Sequence, residues 1–349
     1  IYCLNFSKRI LPYWKNINNK KKLQNNLNKI KENEFGNNHN CIIGVSGGVD
    51  SSYLLHLAVK EFGLKPLVYH VDAGWNSKIA VENIEKIVDK LGLELHTDVI
   101  YWPEMRDLQL SFFKANVPHL DTPQDHAFFA SMYNYCEKNN IKSILNGGNF
   151  STESIREPLL WHYHASDALH LKHIQKIFGT RNLETFPISD IFTYKIFYNI
   201  IKKIKVYQLL NNIDYDKANA TAFLKKEYKW TEYSHKHYES RFTRFYEGYW
   251  LLKKFGYDKR KAHFSSLILS DQISREQALD KLKKDPISLE EINKDIEFVA
   301  NKLNISIDEL NSYFHSTNLT YENYKSNFYL INIFTIISRI LGLEKRIIR

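Results

Sequence analysis

Cysteine is scarce: Cys3, Cys41 and Cys136 are the only three in 349 residues. They are odd in number and far apart, which argues against a disulfide framework and fits a reducing compartment. No apolar run approaches the roughly 20 residues that a membrane-spanning helix needs. No charged-then-apolar leader opens the sequence, which starts at Ile1. The expectation is a cytoplasmic protein with no membrane partner. Internal repeats are missing, and so are low-complexity linkers beyond an Asn/Lys-rich lead.

Aromatic residues are abundant, with 22 Tyr and 21 Phe, so a packed core is accessible despite a polar average. The formal charge of +9 favours acidic partners, among them nucleotides, sugar nucleotides, nucleic acid and membrane surfaces. Charge alone does not choose among these. Lys and Asn crowd the lead together, which reads as compositional bias, and no nucleic-acid partner is expected.

Residues 1–40 predict one helix, with apolar positions from Tyr13 to Ile30 at helical spacing. From Cys41 the pattern alternates. Cys41 to Val45, Leu67 to Val71, Glu94 to Val99 and Ile141 to Leu145 read as strands. Ser51 to Phe62, Lys78 to Leu91, Met105 to Lys114 and Gln124 to Lys138 read as helices, and Gly63 and Gly92 end the first two. Such alternation means α/β architecture, a parallel sheet with helices on both faces. Ala165 to Phe178 reads as helix, and from Ile191 the chain reads as mostly helical, aromatic and basic. The expected organisation is a lead over 1–40, a nucleotide domain over 41–190 and a helical substrate or partner region over 191–349.

The chemistry concentrates in Ser46-Gly47-Gly48-Val49-Asp50-Ser51-Ser52, between a strand and a helix. Two glycines let the backbone turn and approach an anion. The hydroxyls and the helix N-terminus complete a phosphate cradle at the carboxyl end of a parallel strand. It is not the Walker loop, whose Lys is replaced by Val49, nor the dinucleotide fingerprint, whose third Gly is absent. An acid inside a phosphate loop implies a shared cation, so Asp50 suggests Mg²⁺. A plain Gly-Gly turn with a helix cap is the alternative reading.

Ser46 to Ser51 resembles the Ser-Gly-Gly-x-Asp-Ser signature of the PP-loop ATP pyrophosphatases. The resemblance implies an adenine-nucleotide α-hydrolase-like fold, binding of ATP with Mg²⁺, and transfer of AMP to a substrate oxygen. It implies that Ser46, Gly47, Gly48, Val49, Asp50, Ser51 and Ser52 hold the pyrophosphate. Val71 and Asp72, at the end of the second strand, would lie along the nucleoside, and Gly147, Gly148 and Asn149 would close over it.

Further along, Thr122 to His126, Ala165 to Asp167, His237 to Phe245 and Lys254 to His263 resemble the N-acetyl sugar amidotransferases of the WbpG/PseA type, from lipopolysaccharide O-antigen and nonulosonic acid biosynthesis. That resemblance spans roughly Cys41 to Leu279. It implies conversion of a sugar acetamido group to an acetamidino group through an O-adenylyl intermediate. The substrate would be a nucleotide-activated diacetamido sugar, and ammonia would come from a HisH-like glutaminase through a HisF-like ammonia-channelling subunit. It implies catalytic roles for Asp50, Ser51, Gln124, Asp125, His237 and Glu239. Substrate contacts would come from Asp167, Arg241, Arg244, Lys259, Arg260, Lys261 and His263, whose basic members suit phosphate or carboxylate.

Members of that family commonly begin with four cysteines resembling a structural zinc site. Here Cys3 alone resembles one of them, as a remnant, so Zn²⁺ is expected only if further residues precede Ile1. Two other readings stay open: a PP-loop enzyme modifying tRNA, and a nucleotide-binding module without catalysis.

Overall fold

The protein is described by a computed structural model over residues 2–15, 19–33, 39–233 and 238–340. Its strands are β1 (Cys41–Gly44), β2 (Pro66–Asp72), β3 (Leu95–Val99), β4 (Ser143–Leu145) and β5 (Lys205–Tyr207). They form one parallel sheet in the order β3-β2-β1-β4-β5. The chain moves outward from β1 to β2 and β3, then returns to the other side of β1 for β4 and β5. The crevice outside β1 and β4 is therefore the topological switch point, where open α/β sheets bind ligands.

Alternation along the strands sends side chains into two cores. Ile42, Leu67, Tyr69, Val71 and Ile144 join one, which runs on into the carboxy-terminal helices through Trp75, Phe242, Phe245 and Trp250. Cys41, Ile43, Val68 and Leu145 join the other, with Leu54, Leu55, Ile84 and Ile87 from the helices Val49–His56 and Lys78–Leu91. Both faces of the sheet are thus covered by helices. Gly92 ends the Lys78–Leu91 helix in the left-handed conformation, φ 64°.

Three elements differ from the sequence expectation. β5 falls inside the region read as helical from Ile191, because three residues carry no readable period, and it pairs with β4 through Lys205, Val206 and Tyr207. The helix expected from Ala165 begins at Ala168, because Asp167 caps it by accepting from the amides of Leu169 and His170. In the lead, the Asn19–Lys31 helix is preceded by helical turns from Tyr2 to Trp14, whose Phe6 and Trp14 pack on Phe150.

The helical region is pinned to itself by one buried carboxylate. Asp295, fully buried, accepts from Arg241 Nε (2.8 Å), Arg244 Nε (2.8 Å) and Arg244 Nη2 (2.6 Å). The Arg241 guanidinium also lies 3.9 Å from the centre of the Phe298 ring. Replacing Asp295 by Ala leaves two cations without their acceptor. The expected loss is about 3 kcal/mol, the low end for breaking a buried pair because both guanidiniums keep some water. Denaturant unfolding of Asp295→Ala against the parent measures it, and an unchanged midpoint would mean that the pair contributes nothing.

Candidate functional site

The loop after β1 turns on Gly47, whose φ of 81° puts it in the left-handed region. A Cβ there would also stand 2.6 Å from the Ala80 carbonyl oxygen. Its own carbonyl accepts from Trp230 Nε1 (3.1 Å) and from the Tyr233 hydroxyl (3.2 Å). Beyond it the Ser46 hydroxyl accepts from the Gly48 amide (3.3 Å), and the Ser51 hydroxyl donates to the Gly48 carbonyl (3.2 Å). Val49 opens the helix that follows and is buried at the cleft wall.

Asp50 sits in the first turn of that helix and accepts from the hydroxyl of Tyr215. Burial, then the Asp50 charge, pushes the Tyr215 phenol well above its ordinary pKa, so Tyr215 keeps its proton and remains a donor. Gly147 lets the loop after β4 come against this turn: a Cβ on it would lie 3.0 Å from the Asp50 carbonyl carbon and the Ser51 nitrogen. Asn149, fully buried, caps the next helix by accepting from Thr152 N (2.9 Å).

The end of β2 is locked by a polar chain. His70 Nδ1 donates to the Val45 carbonyl (2.9 Å), and Asn76 Nδ2 donates both to His70 Nε2 (2.9 Å) and to Asp72 Oδ1 (3.1 Å). Asn76 pairs antiparallel with Ser240. The backbone bonds Ser77 N to Glu239 O and Arg241 N to Trp75 O, both 2.8 Å, flank that bridge. The helical region is thereby stitched to the nucleotide loop. Glu239 ends with its carboxylate against Gly48, where a Cβ would collide with Oε1.

These elements enclose a cleft of about 2180 Å³. Of the residues expected from sequence, Ser46, Gly48, Val49, Asp50, Ser51, Val71, Gly147, Gly148, Gln124, Asp125, Glu239, Lys259, Arg260 and His263 line it. Gly47, Ser52 and Asn149 stand behind the wall. Gln124 lines the cleft and is also a strut: it accepts from Ser240 Oγ (3.1 Å) and donates to Thr243 Oγ1 (3.1 Å).

Others are turned elsewhere. Asp72 closes its own loop, accepting from Gly74 N (2.8 Å). Asp167 is buried, accepting from the Tyr163 hydroxyl (2.9 Å) and Asn327 N (2.6 Å) besides capping its helix. Arg241 and Arg244 are engaged by Asp295 rather than the cleft. Lys261 is exposed outside it. His237 lies outside the described residues. Cys3 is free and exposed, and among the described residues no cluster of His, Cys, Asp and Glu could hold a metal ion.

Tyr215, Trp230 and Tyr233 are the site residues that sequence reasoning missed. Two lysines of the lead, Lys22 and Lys29, also line the cleft. Opposite the loop, Lys259 bonds Glu247 (2.7 Å) and lies 3.7 Å from Glu157. Burial opposes its charge, but the two glutamates outweigh burial and hold its pKa well above the ordinary value. Asp121 nearby is pushed well up by burial, then by Asp125 and Glu247. The cleft thus offers both cations and a carboxyl that keeps its proton more readily than usual.

The region that closes the cleft, residues 239–338, matches the family model described as "LPS biosynthesis protein WbpG-like, C-terminal domain". Residues 40–104, which hold β1, the loop and β2, match the phosphoadenosine phosphosulfate reductase domain. A WbpG-like region joined to such a nucleotide loop supports an ATP-using enzyme of the PP-loop type. Among solved structures, NMN synthetase from Francisella tularensis is similar, at 15% identity and a TM-score of 0.36, covering 82% of this chain and 97% of that one. So is an NH3-dependent NAD synthetase from Campylobacter jejuni subsp. jejuni NCTC 11168, at 14% identity and 0.35, covering 88% and 98%. Comparison with curated proteins gives no match.

Two substitutions test the loop. Gly47→Ala should lose about 1–2 kcal/mol of stability from backbone conformation alone, more if Ala80 cannot yield. Tyr215→Phe should leave folding nearly intact but weaken ATP binding about tenfold in isothermal titration, since it removes a bond to a charged carboxylate. Unchanged ATP affinity would mean that Tyr215 does not set the direction of Asp50.

Proposed function

We propose that this protein uses ATP to activate the oxygen of a sugar acetamido group and replaces that oxygen with ammonia, releasing AMP and pyrophosphate. The observation that carries the reading is a PP-type loop with Asp50 at the switch point, facing a WbpG-like region across one shared cleft. Its volume exceeds the roughly 300–1,000 Å³ of an ordinary ligand pocket, which suits two substrates side by side.

In this reading the Ser46 and Ser51 hydroxyls and the amides opening the Val49–His56 helix hold the pyrophosphate end of ATP. The donors fit an anion, and Asp50, kept in place by Tyr215, fits a cation beside it. Mg²⁺ bound there supplies neutralising charge for the phosphates. Val71 and the walls around His70 accommodate the nucleoside. Lys259, held charged by Glu247 and Glu157, and His263 line the wall that this reading assigns to the sugar substrate, while the Arg260 guanidinium is already engaged by Asp258.

The acetamido oxygen attacks the α-phosphorus, the bond to pyrophosphate breaks, and an O-adenylyl imidate forms. Ammonia adds to the imidate carbon, loses a proton, and AMP departs with the former amide oxygen, leaving an amidine. Glu239, against Gly48, is the proton acceptor that this reading assigns, with Asp125 and Gln124 on the same wall orienting the substrate. Catalysis rests mainly on positioning and fixed charge. Ammonia arrives from a glutaminase subunit through an ammonia-channelling partner, in the making of a surface polysaccharide or nonulosonic acid.

The test is pyrophosphate release with ATP, Mg²⁺, ammonium and nucleotide-activated diacetamido sugars. Release should need both sugar and ammonium, and Asp50→Ala should lower it by roughly a hundredfold or more, as for loss of a transition-state charge contact. Release that ignores the sugar but responds to tRNA would sink the proposal.

A further inference from the structure

The cations of the sugar wall are engaged within the protein, Lys259 by Glu247 and Glu157 and Arg260 by Asp258. A substrate that carries phosphates needs charge from elsewhere in the cleft. The Lys- and Asn-rich lead reads along the sequence as compositional bias, but the fold sorts it. In the Asn19–Lys31 helix, Leu27 and Ile30 are buried in the core that holds Val45 and Tyr207, while Lys22, Asn25, Asn26 and Lys29 line the cleft. These four positions follow one another at helical spacing and form one stripe.

The stripe adjoins the sugar wall. Asn26 Nδ2 reaches Asn212 Oδ1 (3.5 Å), and the neighbouring Asn211 side chain accepts from Phe150 N (2.7 Å). Within the same short Phe150–Glu153 helix, the Thr152 carbonyl accepts from His263 Nδ1 (3.2 Å). Lys22 Nζ lies 4.2 Å from the centre of the Tyr13 ring, which meets Phe150 edge to face at 6.2 Å.

The acids nearby leave the stripe its charge. The helix itself contains no Asp or Glu, and Glu32, which follows it, is exposed outside the cleft. Asp214 faces Lys15 at 3.6 Å. Glu153 lines the cleft beside Gly148, and the other lining carboxylates come from the nucleotide loop, residues 121–125 and residues 232–285. Among the described residues, no ion pair joins Lys22 or Lys29 to a carboxylate. The Ser46–Ser51 loop already supplies donors for the pyrophosphate end of ATP, so the stripe is left for a second anion.

We infer that the lead helix is the subsite for the diphosphate of the sugar nucleotide, with Lys22 and Lys29 on its phosphates and the Asn25 and Asn26 amides between them. The inference rests on reading the cleft as a sugar-activating site. Lys22 and Lys29 are seven residues apart, roughly 10.5 Å along the helix axis. Two flexible four-carbon stems close that gap from either side of one diphosphate. Two cations match the two charges of a diphosphate linkage, where a monophosphate linkage brings one. The substrate class is therefore a nucleoside diphosphate sugar.

The test is isothermal titration of the full chain with UDP, UMP, GDP and GMP, in Mg²⁺ and with the ATP site filled by a nonhydrolysable ATP analogue. A diphosphate should bind more tightly than its monophosphate, and the preference should shrink as salt rises. Lys22→Ala with Lys29→Ala should weaken diphosphate binding about tenfold and leave the affinity for the ATP analogue unchanged. Lys22→Arg with Lys29→Arg should retain it. In turnover the Ala pair should raise KM for the sugar nucleotide and keep kcat. No binding of either diphosphate, equal affinity for diphosphate and monophosphate, or a loss that falls on the ATP analogue would overturn the inference. Failure of the sugar reading looks different: pyrophosphate release would ignore the sugar, while the diphosphate affinity and its loss in the Ala pair would persist.

Discussion

Gly47 holds a left-handed backbone, and its carbonyl is fixed by Trp230 and Tyr233. That one peptide joins the two halves of the site. On its amino-terminal side, β1 delivers Ser46 to the switch point of the sheet. On its carboxy-terminal side, the Val49–His56 helix starts with Asp50 and Ser51 turned into the cleft. If Gly47 relaxed, the amides behind it would no longer converge and the donors from the helical region would lose their acceptor. The Asn76–Ser240 bridge and the packing of Trp75 on Phe242 at 4.8 Å then carry the same attachment along the cleft.

This construction explains why the cleft combines opposite charges without collapse. A phosphate-binding loop needs donors and tolerates a carboxylate only where that carboxylate is oriented and can share a cation. Tyr215 does the orienting at Asp50. Near Asp121 and Asp125, Lys259 pairs with Glu247 and lies close to Glu157, and burial holds Asp121 toward its protonated form. The proposed chemistry needs that mixture, because a phosphate chain, an amide and an ammonia molecule must share one space that excludes water.

How much of this was readable depended on how local each signal is. The Ser-Gly-Gly-Val-Asp-Ser loop declares itself, since strand, turn and helix follow one another in the chain, and the parallel sheet follows from the alternation around it. The partners of the loop do not declare themselves. Tyr215 lies 165 residues from Asp50, and Trp230 lies 183 residues from Gly47. No local pattern marks an aromatic residue as a donor across such a separation. Arg241 and Arg244 illustrate the reverse: two arginines beside an aromatic helix read as a grip for an acidic substrate, but their acceptor is Asp295, carried by the Leu289–Leu303 helix. Asp72 and Asp167 follow the same logic. An Asp at a strand end or a helix start suits a ligand and a cap equally, and here both close turns of their own.

The most direct test follows the oxygen atom. A sugar substrate carrying heavy oxygen in its acetamido group would be turned over with ATP, Mg²⁺ and ammonium, and the AMP examined by mass spectrometry. Activation of that oxygen on the loop predicts that the label leaves the sugar and appears in AMP. Label that stays on the sugar while AMP forms without it would contradict the proposed chemistry.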